Sequence, residues 1–284
     1  MMPEVQGPND ESFADFYANW LKQQEEHLQE LRAALGDGSN IQEPELKNLV
    51  PKVLAHYEEY YTAKDGAAQQ DVLKVVQSSW KTPLENAFMF IGGWRPTMVC
   101  QLAYAQAGQQ IEAELAEFLS GIDTPSMVSL SSKQLLQTSD LQQLTQKCEE
   151  DFEHRMAVLQ QGLVDQPLLS LAQGHWDHHP QMPHPPTLSL AQAGEQQRAE
   201  EEAGGNDHET EMESAMDDKV KALKELVADV DAVRLKTLKD MVHILNLVQS
   251  AQYLVAAAQI QIAIRHLGVK KNGIHHSNEH DTEA

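Results

Sequence analysis

Apolar side chains recur at three- and four-residue steps along most of this chain, the spacing that lines one face of an α-helix. Phe13, Phe16, Tyr17, Trp20, Leu21, Leu28, Leu31 and Leu35 form the first stripe, which Gly36 and Gly38 should end. Ser12, followed by Asp15, loosely matches a capping box, with Asp where Glu or Gln is usual. A second helix should start near Pro44 and turn Leu46, Leu49, Val50, Val53, Leu54, Tyr57 and Tyr61 inward. Pro51 falls early enough to be tolerated or to kink it, and Gly66 is a plausible stop. A third amphipathic stretch runs from about Gln69 to Trp80. Thr82 then caps a helix opened by Pro83, with Glu85 favouring its positive end. That helix should carry the apolar run Ala87, Phe88, Met89, Phe90 and Ile91 up to a break at Gly92-Gly93. Pro96 opens the next one, with Met98, Val99, Leu102, Ala103, Ala105, Ile111, Leu115, Phe118 and Leu119, closed by Gly121 and Pro125.

Ser131 or Ser132 should open a long helix to about Leu163, striped by Leu135, Leu136, Leu141, Leu144, Cys148, Phe152, Met156 and Leu159. No strict heptad is sustained, so it does not read as a coiled coil. Residues 165–214 differ in kind: rich in Pro, His, Gln, Glu and Gly, they hold too little apolar surface to offset ordering entropy. From about Ala215 a strong stripe returns through Val220, Leu223, Leu226, Val227, Val230, Leu235, Leu238, Met241, Val242 and Leu245. Ser250 should open a final helix through Tyr253, Leu254, Val255, Ile260, Ile264 and Leu267, stopped by Gly268. Ala256, Ala257 and Ala258 leave room for close helix packing. Short runs of alternating β-branched residues are scarce. The pattern therefore predicts an all-α fold: a single bundle-like domain of about seven or eight helices over residues 10–268. A disordered acidic, His- and Pro-rich insert occupies 165–214, and a disordered tail 269–284.

Composition narrows the function. Hydrophobic residues make up 41% of the 284, enough for a real core. The formal net charge of −22 opposes contact with nucleic-acid phosphates, and reads either as plain solubility or as attraction to a basic partner. Cys100 and Cys148 stand far apart, outside any C-x-x-C pair, which argues for a reducing compartment and against a disulfide framework. The polar N-terminus lacks a signal-type apolar core, and unbroken apolar runs are far short of a membrane span. A soluble protein of the nucleus or cytoplasm, with no membrane contact, is expected.

Three segments carry a resemblance. They are Phe16-Tyr17-x-x-Trp20, the stretch PLENAFMFIGGWRP over 83–96, and TLKDMVHILNLVQSAQYLVAAAQIQIAIRHLG over 237–268. Together, over most of residues 10–268, they resemble the plant DOG domain, found in TGA-class bZIP transcription factors and in stand-alone delay-of-germination proteins. The resemblance implies a non-enzymatic regulator that works through protein contacts in transcription- or hormone-linked development, such as seed dormancy. It implies protein phosphatases, TGA factors or other DOG-domain proteins as partners, or a second copy as a homodimer. Residues 1–40 hold only Lys22 and Arg32 as basic side chains, so no major-groove helix and no direct DNA contact is expected there. The delay-of-germination branch is linked with haem held by two histidines a turn apart. The aligned positions here are Gln261 and Arg265, not normal haem ligands, while His243 and His266 lack that spacing. Neither haem nor any other cofactor is expected. A fatty-acyl or haem-sensing domain is the competing reading, because a Leu-, Ala- and Met-rich bundle can hold such a ligand.

Chemistry-bearing clusters are few. His175, His178, His179 and His184 have spacing that binds zinc weakly and adventitiously, as do His275, His276 and His280. Asp151 and His154 imitate half of a di-iron site, without a second half. Gly92-Gly93 with Arg95 reads either as an anion nest or as a tight inter-helix turn in which Arg95 pairs a buried acid such as Glu85. Should a pocket exist, Asn86, Trp94 and Arg95 are the candidates for its wall. No Ser-His-Asp set, phosphate loop or paired carboxylates stand out, so no enzyme is expected.

Overall fold

A computed structural model describes residues 10–36, 40–108, 130–164 and 201–280, of which 10–12, 201–212 and 273–280 are described for their backbone alone. The helices are α1 (Asp10–Leu35), α2 (Glu43–Gln77), α3 (Pro83–Ala87), α4 (98–108), α5 (Ser132–Gln161), α6 (Glu201–Ile244) and α7 (Leu247–His280). No strand occurs among the described residues beyond an isolated bridge between Phe90 and Gly93. The fold is all-α, as the apolar periodicity predicts. The chain divides into two compact units, Met1–Asp151 with Val227–Ala284, and Phe152–Leu226. In the smaller unit Phe152 and Leu226 are buried, and the Arg155 guanidinium lies 5.9 Å from the Phe152 ring centroid.

The larger unit holds the principal core. Leu31 and Ala34 of α1, Leu46, Val50 and Val53 of α2, and Cys100 and Ala103 of α4 meet there. Leu141 of α5, Leu238 and Met241 of α6, and Ala251, Tyr253 and Leu254 of α7 complete it. An aromatic cluster continues it between α1 and α2. Trp20 stacks on His56 with centroids 4.5 Å apart and planes 4° from parallel, and its Nε1 donates to the His56 carbonyl at 2.8 Å. Burial, and then the nearby His27, lowers the His56 pKa to about 4, so the ring stacks neutral.

Several boundaries differ from the sequence reading. Helix α1 already runs at Asp10, so Ser12 is an interior position and not a cap. Gly66 does not stop α2: it sits mid-helix with open space where a Cβ would be, at a cost of about 1 kcal/mol relative to Ala. The interruption comes instead at Asp71 (φ −151°, ψ 95°), whose Oδ1 accepts from the backbone N–H groups of Leu73 and Lys74 and so caps the closing turns. Ser250 is likewise interior to α7. Asn246 and Gln249 form the reciprocal cap there, each side chain accepting from the other's N–H at 2.8–2.9 Å.

In α5 part of the expected stripe, Leu135, Leu136 and Leu144, is turned outward, while Leu141 and Phe152 are buried as expected. Leu136 is 63% and Leu144 62% exposed, while Thr138, Leu141, Thr145 and Glu149 are buried. Thr145 and Thr237 are tolerated inside because each hydroxyl donates to a carbonyl four residues back, of Leu141 and Val233. Ser131 caps this helix reciprocally with Gln134. Expectations on residues 109–129 and 165–200, which include Ile111, Leu115, Phe118, Leu119, Gly121, Pro125 and the four insert histidines, fall outside the described residues. The rest of the expected insert, 201–214, is helical, because α6 begins at Glu201.

The tail beyond Gly268 is helical too, as far as His280. Gly268 is no stop but a contact point: a Cβ added there would lie 2.7 Å from the Thr82 Cβ. Averaged over Leu247–Asn272, α7 is also long and apolar enough to cross a membrane by length and composition, against the expectation drawn from unbroken runs. Its alanines and valines raise the mean although glutamines interrupt each run, and Ala251, Tyr253, Leu254 and Ala258 pack in the core.

Overpacking at the Thr82 contact should cost about 1–3 kcal/mol. Gly268→Val is therefore expected to lower the midpoint of urea unfolding, whereas Gly66→Ala, with open space around it, should leave the midpoint unchanged or raise it.

Candidate functional site

The segment 83–96 is a short helix followed by a tight turn, and buried charge holds both. Thr82 is the N-cap of α3: its Oγ1 accepts from the Glu85 N–H at 3.2 Å, and Glu85 Oε2 accepts from the Thr82 N–H at 2.7 Å. The helix ends at Ala87, so Phe88 to Ile91 do not continue it as the apolar run suggests, and Phe88 stands 65% exposed. Phe90 and Gly93 then exchange backbone hydrogen bonds at 2.6 and 3.2 Å around Ile91 (φ 43°) and Gly92 (φ 71°). Two consecutive positive φ values are the mark of a primed turn, and a β-branched residue such as Ile91 enters that region only under constraint.

Arg234 of α6 supplies the constraint. Its Nε donates to the Trp94 carbonyl at 2.6 Å, and its Nη2 to the carbonyls of Phe90 and Ile91. Nη1 meets Asp231 Oδ1 at 2.5 Å. Lys64 of α2 donates to the Gly92 carbonyl at 2.8 Å and pairs with Asp231 at 2.9 Å. The turn thus presents its carbonyls to two buried cations, the reverse of an anion nest. Gly93 is needed for close approach, since a Cβ there would lie 2.8 Å from the Arg234 Cζ.

Two further buried carboxylates fix the flanks. Glu85 Oε2 accepts from Arg265 Nη1 at 3.0 Å, and that nitrogen also donates to the Trp80 carbonyl at 2.8 Å. Glu149 of α5 accepts from the Thr97 N–H at 2.7 Å, from the Thr97 hydroxyl at 3.1 Å and from Arg95 Nη1 at 3.2 Å. Arg95, which also lies over the Phe90 ring, therefore pairs with Glu149 and not with Glu85. Lys81 is the outlier: buried, its Nζ approaches the Met89 sulfur at 3.5 Å. Burial, then the positive Lys64 and Arg234, lowers its pKa to about 7; burial lowers Lys64 to about 8 against the pull of Asp231.

Beside the turn lies a cavity of about 150 Å³, lined mostly by apolar and aromatic side chains. Trp94 and Arg95 belong to its wall, with Gln261 and Arg234. Asn86 does not: its amide donates to the carbonyls of Gln77 and Ser78 at 3.2 Å and closes the end of α2. Arg265 is engaged by Glu85, and His243 and His266 are exposed. Asp151 and His154 are exposed as well, and no group of three or more His, Cys, Asp or Glu able to hold a metal occurs among the described residues. His275, His276 and His280 fall in the last turns of α7. Sequence reasoning missed Lys64, Glu149, Asp231 and Arg234. The available signal was that each charged residue sits at a position where the apolar periodicity of its helix calls for a core side chain.

Comparison with known proteins agrees with this picture. The family model "DOG1: Seed dormancy control" matches residues 27–105, which includes the whole turn. Protein DOG1-like 4 of Arabidopsis thaliana is 28% identical over 276 residues, 97% of this chain and all of the relative. Transcription factor TGAL1 of Oryza sativa subsp. japonica is 32% identical over 253 residues, 88% of this chain. Transcription factor TGA2 of Arabidopsis thaliana is 29% identical over 242 residues, 84% of this chain. The chain spans 43% and 58% of those two factors, so the rest of each has no counterpart in the match. Relatives that are DOG1-like proteins and TGA-type transcription factors of plants support a plant DOG-domain regulatory protein. The chain belongs to the DOG-domain family.

Asp231 is the shared counter-charge of both buried cations, and breaking such a buried pair costs about 3–5 kcal/mol. Asp231→Asn and Arg234→Met are each expected to destabilise by that order in chemical denaturation, with Lys236→Met, at an exposed pair, as the silent control. Stability should also depend on pH through Lys81. From about 7 up to the unfolded value near 10, the unfolded chain binds a proton that the folded protein has released, so stability rises with pH across that window. Below about 7 the penalty is complete. Lys81→Met should flatten that rise and raise the unfolding midpoint more at pH near 6 than near 10, read by denaturation at the two pH values.

Proposed function

We propose that this protein is a non-enzymatic regulator that acts by protein–protein contact in transcription-linked or hormone-linked plant development, seed dormancy being the process the family description names. One observation carries the reading. The buried charges Lys64, Glu85, Glu149, Asp231 and Arg234 are engaged in shaping the family segment, while its most exposed large apolar side chain, Phe88, faces outward on a protein of net charge −22. Leu136 and Leu144 extend the supply of exposed apolar surface on α5. Such side chains on a charged surface are what helix-face recognition uses. TGA-type factors, other DOG-domain proteins including a second copy, and protein phosphatases are the partners of this reading, met in the nucleus or the cytoplasm. The chain would reach DNA only through a TGA-type partner, since its acidity opposes phosphate contact.

The reading includes no resident haem. Gln261 and Arg265 stand where the family places histidines; the Gln261 amide is no normal haem ligand and Arg265 is paired with Glu85, so neither nitrogen set offers an axial ligand.

Sedimentation velocity of the full chain mixed with a TGA-type factor should give a complex, and Phe88→Asp should weaken it about tenfold or more if that side chain anchors the contact. A TGACG duplex should be retarded in a gel by the mixture and not by this chain alone. Tight retardation by the chain alone would sink the reading.

A further inference from the structure

The cavity beside the turn is unlike the rest of the core. Trp20, Tyr60, Tyr61 and Trp94 give it aromatic walls, and Val99 and Ala257 close it with small aliphatic ones. At about 150 Å³ it has the volume that admits one benzene-sized ring, far below the size of a porphyrin or a long acyl chain.

Its polar groups fall into two sets. One is already satisfied by protein. The Tyr57 hydroxyl accepts from Gln24 at 2.7 Å, and the Tyr253 hydroxyl donates to the Val99 carbonyl at 3.1 Å. Arg234 is spent on Asp231 and the turn, and Arg95 on Glu149. The other set is not. The hydroxyls of Tyr60 and Tyr61 have no hydrogen-bond partner among the described residues, although Tyr60 is only 9% exposed. Neither is among the side-chain atoms sealed from solvent without a partner, such as Trp80 Nε1, so each keeps open space beside it. Burial raises both phenols well above their ordinary value, which keeps them protonated and able to donate.

We propose that this cavity binds a neutral single-ring aromatic compound carrying a carbonyl-type acceptor, its ring between Trp20 and Trp94 and its acceptor on the hydroxyls of Tyr60 and Tyr61. Aromatic walls favour a ring over an aliphatic group of equal size. A neutral ligand is favoured over an anion because Nε, Nη1 and Nη2 of Arg234 are each engaged by Asp231 or the turn carbonyls and Arg95 is paired with Glu149, so an added charge would be desolvated without a free donor. The occupant would touch the family turn directly through Trp94 and, through Arg234, the helix that holds it. The proposal stands apart from partner binding, and its test does not involve a partner.

Benzamide is the probe, titrated into the full chain with tryptophan emission and ligand-observed saturation-transfer NMR as readouts. Saturable binding, tighter for benzamide than for toluene or cyclohexanecarboxamide, is expected. Tyr61→Phe should cut the benzamide affinity about tenfold, the order of one hydrogen bond, and leave toluene unchanged. Ala257→Phe should fill the space and abolish binding; should that variant fail to fold by circular dichroism, Met98→Trp at the same wall replaces it. No saturation at millimolar benzamide, or binding indifferent to both the tyrosine and the filling variants, would overturn the proposal. So would tighter binding of benzoate than of benzamide, since charge and not the neutral acceptor would then be what the site selects.

Discussion

One carboxylate, Asp231, lies under two buried cations, and the shape of the family turn depends on it. Arg234 and Lys64 are almost wholly excluded from water, at 3% and 1% of side-chain exposure, and each is committed at one end to Asp231 and at the other to carbonyls of the turn. A turn with Ile91 and Gly92 both at positive φ is not one that the local sequence favours by itself. The cations favour it, because in that geometry the carbonyls of Phe90, Ile91, Gly92 and Trp94 all accept from Arg234 or Lys64. A buried ion pair is weak evidence for stability as such. Its effect here is on conformation: it specifies one backbone path out of several, and through that path sets where Trp94 and Arg95 stand.

The other buried charges repeat the arrangement at smaller scale. Glu85 caps α3 and is held by Arg265 of α7; Glu149 of α5 caps the entry to α4 and is held by Arg95. In each case a carboxylate satisfies backbone N–H groups that a helix start leaves open, and an arginine from another element compensates its charge. The acidic excess of the sequence therefore does not describe the interior, where Lys64, Arg234 and Arg265 meet Asp231 and Glu85 around the same segment.

Much of this was legible in the sequence, and the misses share a cause. Stripes of Phe, Tyr, Trp and Leu correctly marked α1 and the greater part of α2, α6 and α7, because wide apolar faces leave little choice of orientation. Thr82 was readable as a cap, since Pro83 and Glu85 agree with it. Where local signals stood alone they misled. Gly66 and Gly268 look like terminators, yet one is indifferent to its neighbours and the other admits Thr82 at close range, a reason that only the tertiary contact reveals. Ser250 looked like a start, while the reciprocal pair Asn246 and Gln249 was the true one. On α5 Leu136 and Leu144 are outside and Thr138, Thr145 and Glu149 inside, because those polar groups, Thr138 excepted, find partners in the fold that a sequence does not display. Of the three residues singled out for a pocket wall, Trp94 and Arg95 line the cavity, whereas Tyr61 reads from the sequence only as an inward-facing residue and Tyr60 is not singled out at all.

The ties that hold the turn reach far along the chain: Arg234 lies 143 residues from the Ile91 carbonyl it grips, and Asp231 lies 167 residues from Lys64. Contacts of that separation form late, after loop closure over the intervening polypeptide. A growing chain on the ribosome that has just released the family segment carries Ile91 and Gly92 with nothing to grip them, and Lys64 without its counter-charge. The segment is then a recognisable sequence without its shape. Excised alone, residues 27–105 would be in the same condition, a signature that becomes an architecture only when the last helices arrive.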